Sequence, residues 1–88
     1  MLGLFYFAVM LETTWITRDN ALVKTFVFDD FVAALAFVQR VGELAELAQH
    51  HPNITINYNK VLLRLQTHDA GNVVTQKDVD LAMAIDQL

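Results

Sequence analysis

The sequence predicts an α+β fold, a four-stranded antiparallel sheet with helices packed on one face in the order ββαββα. Three observations carry this expectation. Two stretches rich in Thr, Val, Phe, Trp and Ile flank the turn-forming Arg18-Asp19-Asn20. A long segment with apolar residues at spacings of three and four follows them. A second pair of alternating stretches then leads into a short terminal helix.

Glu12 to Thr17 and Ala21 to Phe28 are the first expected hairpin. From Asp29 the period changes. Phe31, Leu35, Val38, Val41, Ala45 and Ala48 form a helical stripe, with Gln39, Arg40, Glu43, Glu46 and Gln49 supplying much of the polar side. Asp29 or Asp30 caps the start by accepting bonds from unpaired backbone N–H groups. Pro52 cannot continue the ladder and biases His51 toward an extended conformation, which places the helix end near His50.

Beyond the proline, Ile54, Ile56 and Tyr58 alternate with Thr55 and Asn57. Val61, Leu63, Leu65 and Thr67 then alternate with Leu62, Arg64, Gln66 and His68, a second hairpin turning near Asn59. Asp69-Ala70-Gly71-Asn72 is a loop by composition. Thr75-Gln76-Lys77-Asp78 has the pattern of a capping box, and Leu81, Ala84, Ile85 and Leu88 give the final helix its apolar side.

The chain has 88 residues, 55% of them apolar, with 6 basic and 10 acidic side chains and no cysteine. That apolar fraction excludes a disordered tail, and the length fits one domain over residues 1–88. Without a cluster of Lys and Arg, neither nucleic acid nor an anionic membrane is expected as a partner. A thiol nucleophile and a disulfide are impossible, and the lack of cysteine fits a cytoplasmic protein. Met1 to Leu11 is uncharged but shorter than the about 20 apolar residues of a spanning helix, and it lacks the basic start of a signal peptide. It is expected to face a core or an interface, although a translation start at Met10 is conceivable. A domain this small hides little more than ~60% of its unfolded surface, so oligomerisation is the expected outlet for surplus apolar area.

His50, His51 and His68 are the candidates for chemistry, because imidazole exchanges protons near neutrality. Each also has a structural explanation: a helix C-terminal cap for His50, a solvated loop residue for His51, a strand end for His68. A zinc site is the other functional alternative. No metal is expected, because adjacent residues on an extended chain point apart and neither HxH nor HxxxH spacing is present. The three glycines are too far apart for a phosphate loop.

Taken together, Glu46, His50-His51-Pro52, Tyr58, His68 and Asp78 resemble, in order and spacing, the signature of the pterin-4a-carbinolamine dehydratases. Phe26-Val27-Phe28-Asp29-Asp30-Phe31 resembles that family's entry to its long helix, and Trp15 matches a tryptophan of its first strand. The likeness runs from about residue 12 to the end. Two features depart from it. The loop His68-Asp69-Ala70-Gly71-Asn72-Val73-Val74-Thr75 is one residue longer than the usual His-Asp-x-Gly-Gly-Leu-Thr and lacks its second glycine. The family's opening helix is shortened or replaced, with only 14 residues before Trp15.

The resemblance implies dehydration of 4a-hydroxytetrahydropterin to quinonoid dihydropterin, as in tetrahydrobiopterin recycling, with no cofactor. It implies His50, His51 and His68 as the catalytic group, with the acid and base roles open among them. Glu46, Thr67 and Asp78 are the implied substrate-binding positions. Glu46, one turn before His50, would orient that imidazole or else be a solvated carboxylate; Thr67 would present backbone groups; Asp78 also explains itself as a helix cap. The family likeness further implies homodimers or homotetramers. The alternatives are a non-catalytic interaction module, such as a dimerisation cofactor of a homeodomain factor, or another pterin-binding role.

Overall fold

The computed structural model describes residues 14–88. The expectations for Met1 to Leu11 and for a strand starting at Glu12 lie outside the described residues. Two strands open the described chain, β1 (Ile16–Arg18) and β2 (Ala21–Val27). Asp19 and Asn20 between them both have positive φ, 51° and 62°, the twist a two-residue hairpin loop needs to match its strands.

The long helix α1 (Phe31–Ala48) leads to β3 (Asn53–Asn57) and β4 (Lys60–Leu65), and the chain closes with α2 (Gln76–Asp86). All strand pairs are antiparallel, and the sheet order is β1-β2-β4-β3. The α+β expectation therefore holds. Register explains the core. Pairing of Phe26 with Val61, Leu22 with Leu65 and Ile54 with Leu63 collects these side chains on one face, where Val41, Leu81 and Ile85 of the two helices meet them. No helix among the described residues is long and apolar enough to cross a membrane.

Several local details depart from the sequence expectations. The buried side of α1 is Ala34, Val41 and Ala45 flanked by Phe37, Val38 and Leu44, whereas Phe31, Leu35 and Ala48 are exposed. Aromatic packing sets this rotation. Phe37 packs at a tilt against Phe26 and Phe28, with ring centroids 4.7 and 5.0 Å apart, which turns Ala34 inward and Leu35 outward. Asp30, not Asp29, caps the helix, its Oδ1 accepting from Ala33 N–H at 2.9 Å.

The helix stops at Ala48, ahead of the position expected from Pro52. Gln49 takes the left-handed conformation at φ 52°, and its N–H and that of His50 reach back to the Glu46 and Ala45 carbonyls. This is a Schellman closure, usually made with glycine. Tyr58 is not strand but turn, at φ 54°, and is exposed. Likewise β4 ends at Leu65 rather than His68. Thr67 makes a single bridge to Val73, and His68–Ala70 coil into a 3₁₀ turn closed by Gly71 at φ 93°.

Candidate functional site

The left-handed turn at Gln49 determines where the first two histidines go. It swings His50 toward α2 and His51 back along α1, so two neighbours in sequence find different carboxylates. His50 Nε2 lies 2.6 Å from Asp78 Oδ1, and His51 Nε2 lies 2.5 Å from Glu46 Oε2. The expectation that Glu46 orients His50 is thereby corrected: Glu46 is bound to His51, because the helix has already ended. A carboxylate only accepts, so in both rings Nε2 carries the proton that is donated. The two pairs differ in surroundings. His50 and Asp78 are 12% and 0% exposed; His51 and Glu46 are 59% and 71% exposed, where solvent screens the pairing.

Asp78 is the hub of a closed network. Its Oδ2 accepts from the Thr75 N–H at 2.9 Å and from the Thr67 hydroxyl at 2.7 Å. Since the Thr67 hydrogen is spent on the carboxylate, the Thr75 hydroxyl donates to Thr67 Oγ1 across 2.7 Å. The capping box expected at Thr75 and Asp78 is present, and the same carboxylate grips His50. Cap and site are one structure. Burial pushes the Asp78 carboxyl up, but the hydrogen bonds from His50, Thr75 and Thr67 and the charge of His50 outweigh it, holding it below its ordinary value.

Asp78 is fully buried and is linked to the cleft through His50 and Thr67, which both line it. The Thr67 backbone is also engaged within the loop: its N–H donates to the Val73 carbonyl at 2.8 Å, and its carbonyl accepts from Ala70 and Asn72. His68 stands on the far side of this loop with Nδ1 2.6 Å from Asn72 Oδ1.

All three histidines line one cleft of about 190 Å³, closed by Gln49, Gln66, Thr67, Asp69 and Lys77. A second, apolar groove of about 360 Å³ between α1 and α2, walled by Leu44, Leu47, Leu81 and Ala84, shares only His50 and Lys77 with it. The smaller space is the more polar of the two and is the one that all three histidines line. Tyr58 is at the opposite end of the β3–β4 hairpin and does not line the cleft. Among the described residues no group of three or more His, Asp or Glu side chains is placed to hold a metal ion.

Sequence reasoning missed Gln49, Gln66, Asp69 and Lys77 as cleft residues and Asn72 as the partner of His68. Lys77 sits inside the recognised capping box, where its proximity to the helix start was a usable signal. Gly71-Asn72, in a loop of unusual length, was another.

The family described as Pterin 4 alpha carbinolamine dehydratase matches residues 7–88. A protein of Thermomicrobium roseum, provisionally named a pterin-4-alpha-carbinolamine dehydratase, is 53% identical over 74 residues, covering 84% of this chain and 78% of its own. One of Sulfurisphaera tokodaii with the same provisional name is 46% identical over 74 residues, again 84% and 78% of the two chains. Among solved structures, a transcriptional coactivator/pterin dehydratase from Brucella melitensis superposes with a TM-score of 0.79 at 31% identity, over 93% of this chain and 88% of that one. A pterin dehydratase-like RuBisCO assembly factor of the alpha-carboxysome shares the fold, at TM-score 0.71 and 23% identity over 84% of this chain and 87% of its own. With a family match over residues 7–88 and 53% identity over 74 aligned residues to such a relative, the chain belongs to the pterin 4 alpha carbinolamine dehydratase family.

Proposed function

We propose that the chain is a hydro-lyase that removes water from 4a-hydroxytetrahydropterin to give quinonoid dihydropterin by histidine acid-base catalysis. The observation that carries this is the convergence of three imidazoles on one cleft, each with one ring nitrogen fixed by a partner of its own. In the reaction the C4a–O bond breaks, a proton joins the departing hydroxyl to make water, and the adjacent ring nitrogen loses its proton as the C=N bond forms. One donor and one acceptor balance the step, with no net redox change.

The pairings support a division of these roles. His50 rests on a buried carboxylate that complements an imidazolium, which suits it to deliver the proton to the leaving hydroxyl. His68 is held by a neutral amide oxygen, which suits it to take the proton from the ring nitrogen. His51 and Glu46, at the exposed rim, bind and orient the pterin, while Asp78 and Thr67 serve the substrate by fixing His50. Family membership supports the same substrate class, and no cofactor or metal is needed for the proton balance.

Replacing His50 or His68 with Ala is expected to slow dehydration by roughly 10²- to 10⁴-fold in a stopped-flow assay while the circular dichroism spectrum is kept. Parental rates in both variants contradict the proposal. The exposed Val32, Leu47 and Met83 on the two helices further support assembly into a homodimer or homotetramer, to be measured by light scattering during gel filtration.

A further inference from the structure

We propose that Asn72 is a positioning residue that locks His68 in its Nδ1–H tautomer and so keeps Nε2 unprotonated as the acceptor of the cleft. This rests on the dehydratase function proposed above and adds to it the device that sets the ring's polarity. His68 is the exception among the three histidines. His50 and His51 both spend Nε2 on carboxylates, whereas His68 spends Nδ1 on an amide. The Asn72 Oδ1 atom can only accept, so at 2.6 Å the Nδ1 atom must carry the hydrogen, and the lone pair is left on Nε2. His68 is exposed, so without such a partner its two tautomers would exchange through water.

The loop is built to hold that oxygen in place. Asn72 has φ 61°, a conformation that Asn, Asp and Gly adopt at low cost and most residues do not. Its N–H donates to the Thr67 carbonyl at 3.0 Å, and its own carbonyl accepts from Gln66 Nε2 at 3.2 Å. The same Gln66 amide reaches the Asn20 carbonyl at 3.2 Å, tying the loop to the β1–β2 turn. Gly71, also left-handed, donates to the His68 carbonyl at 3.0 Å and closes the 3₁₀ turn between the ring and its partner. Backbone on both sides of the His68–Asn72 pair is therefore fixed, and the side-chain bond spans a rigid turn.

Two substitutions separate the acceptor from the backbone. Asn72→Gly keeps the left-handed conformation and deletes the oxygen; Asn72→Asp keeps both. In ¹⁵N-histidine-labelled protein, with the ring neutral, His68 is expected to show a protonated Nδ1 and an unprotonated Nε2. In Asn72→Gly the two resonances should move toward each other as tautomers mix, and Asn72→Asp should restore their separation. The dehydration kcat should drop about tenfold in Asn72→Gly with KM little changed, and recover in Asn72→Asp. A proton on Nε2 in the parent, or ring shifts or kcat unmoved in Asn72→Gly, overturns the proposal. A parent protein with the expected ring shifts but no dehydratase activity contradicts the function proposed above and leaves the tautomer lock standing, since without turnover the kcat criterion does not apply and the lock is read from the nitrogen shifts of the parent and the two variants.

Discussion

Asp78 concentrates three duties in one carboxylate: it caps α2, anchors Thr67 and holds His50. Removing its charge while keeping its shape is the informative change. Asp78→Asn is expected to lower kcat roughly 10- to 100-fold with a smaller effect on KM, because the lost group acts through His50 rather than on the pterin. Its stability signature has a definite sign. A carboxyl held below its ordinary value in the folded state contributes stability that is fully present above about pH 4 and lost as pH falls through the depressed value. Urea midpoints of the parent should therefore fall with acid in that window, and the Asp78→Asn protein should show a shallower decline. An identical acid dependence in the two proteins would show that the buried carboxyl is not what titrates.

At the scale of elements, turn chemistry decides where the site forms. The Asp30 cap lies at the opposite end of α1 from the histidines, so Asp30→Ala is expected to cost about 1 kcal/mol in denaturant unfolding with kcat unchanged. A loss of activity at constant stability would contradict that separation. The helices, both hairpins and the capping box were legible in the sequence because each rests on a local signal: alternation, three-and-four spacing, or Thr75 three residues before Asp78. What was not legible depends on contacts distant in sequence or on left-handed turns made by residues other than glycine. Leu35 and Phe31 share the helical period with Val38, yet only the rings of Phe26 and Phe28 select Ala34 and Phe37 as the inward side. Glu46 and His50 are one turn apart in a continuous helix, and the left-handed Gln49 separates them. The three histidines could be named from the sequence, but not the partners of their rings: Asp78 is 28 residues from His50, and the nearer pairs, Glu46 with His51 and Asn72 with His68, depend on the turns at Gln49 and at His68–Ala70.

For the whole molecule, the sheet's helix-facing side is both core and foundation of the site. Leu63, fully buried on β4, pairs with Lys24 of β2 on one side and Ile54 of β3 on the other. Leu63→Ala should cost about 2–5 kcal/mol, a large part of the stability of so small a domain, with activity lost in step with the folded fraction as followed by thermal melts. Loss of activity below the melting transition would point to a more direct role for this strand. The proposed dehydration depends above all on three imidazoles, two held by carboxylates and one by an amide, acting together on a pterin carbinolamine. The most direct measurement is the decay rate of 4a-hydroxytetrahydropterin near neutral pH with and without catalytic amounts of the purified protein. The expected result is an acceleration proportional to protein concentration with quinonoid dihydropterin as product; a decay rate equal to that of buffer alone would contradict it.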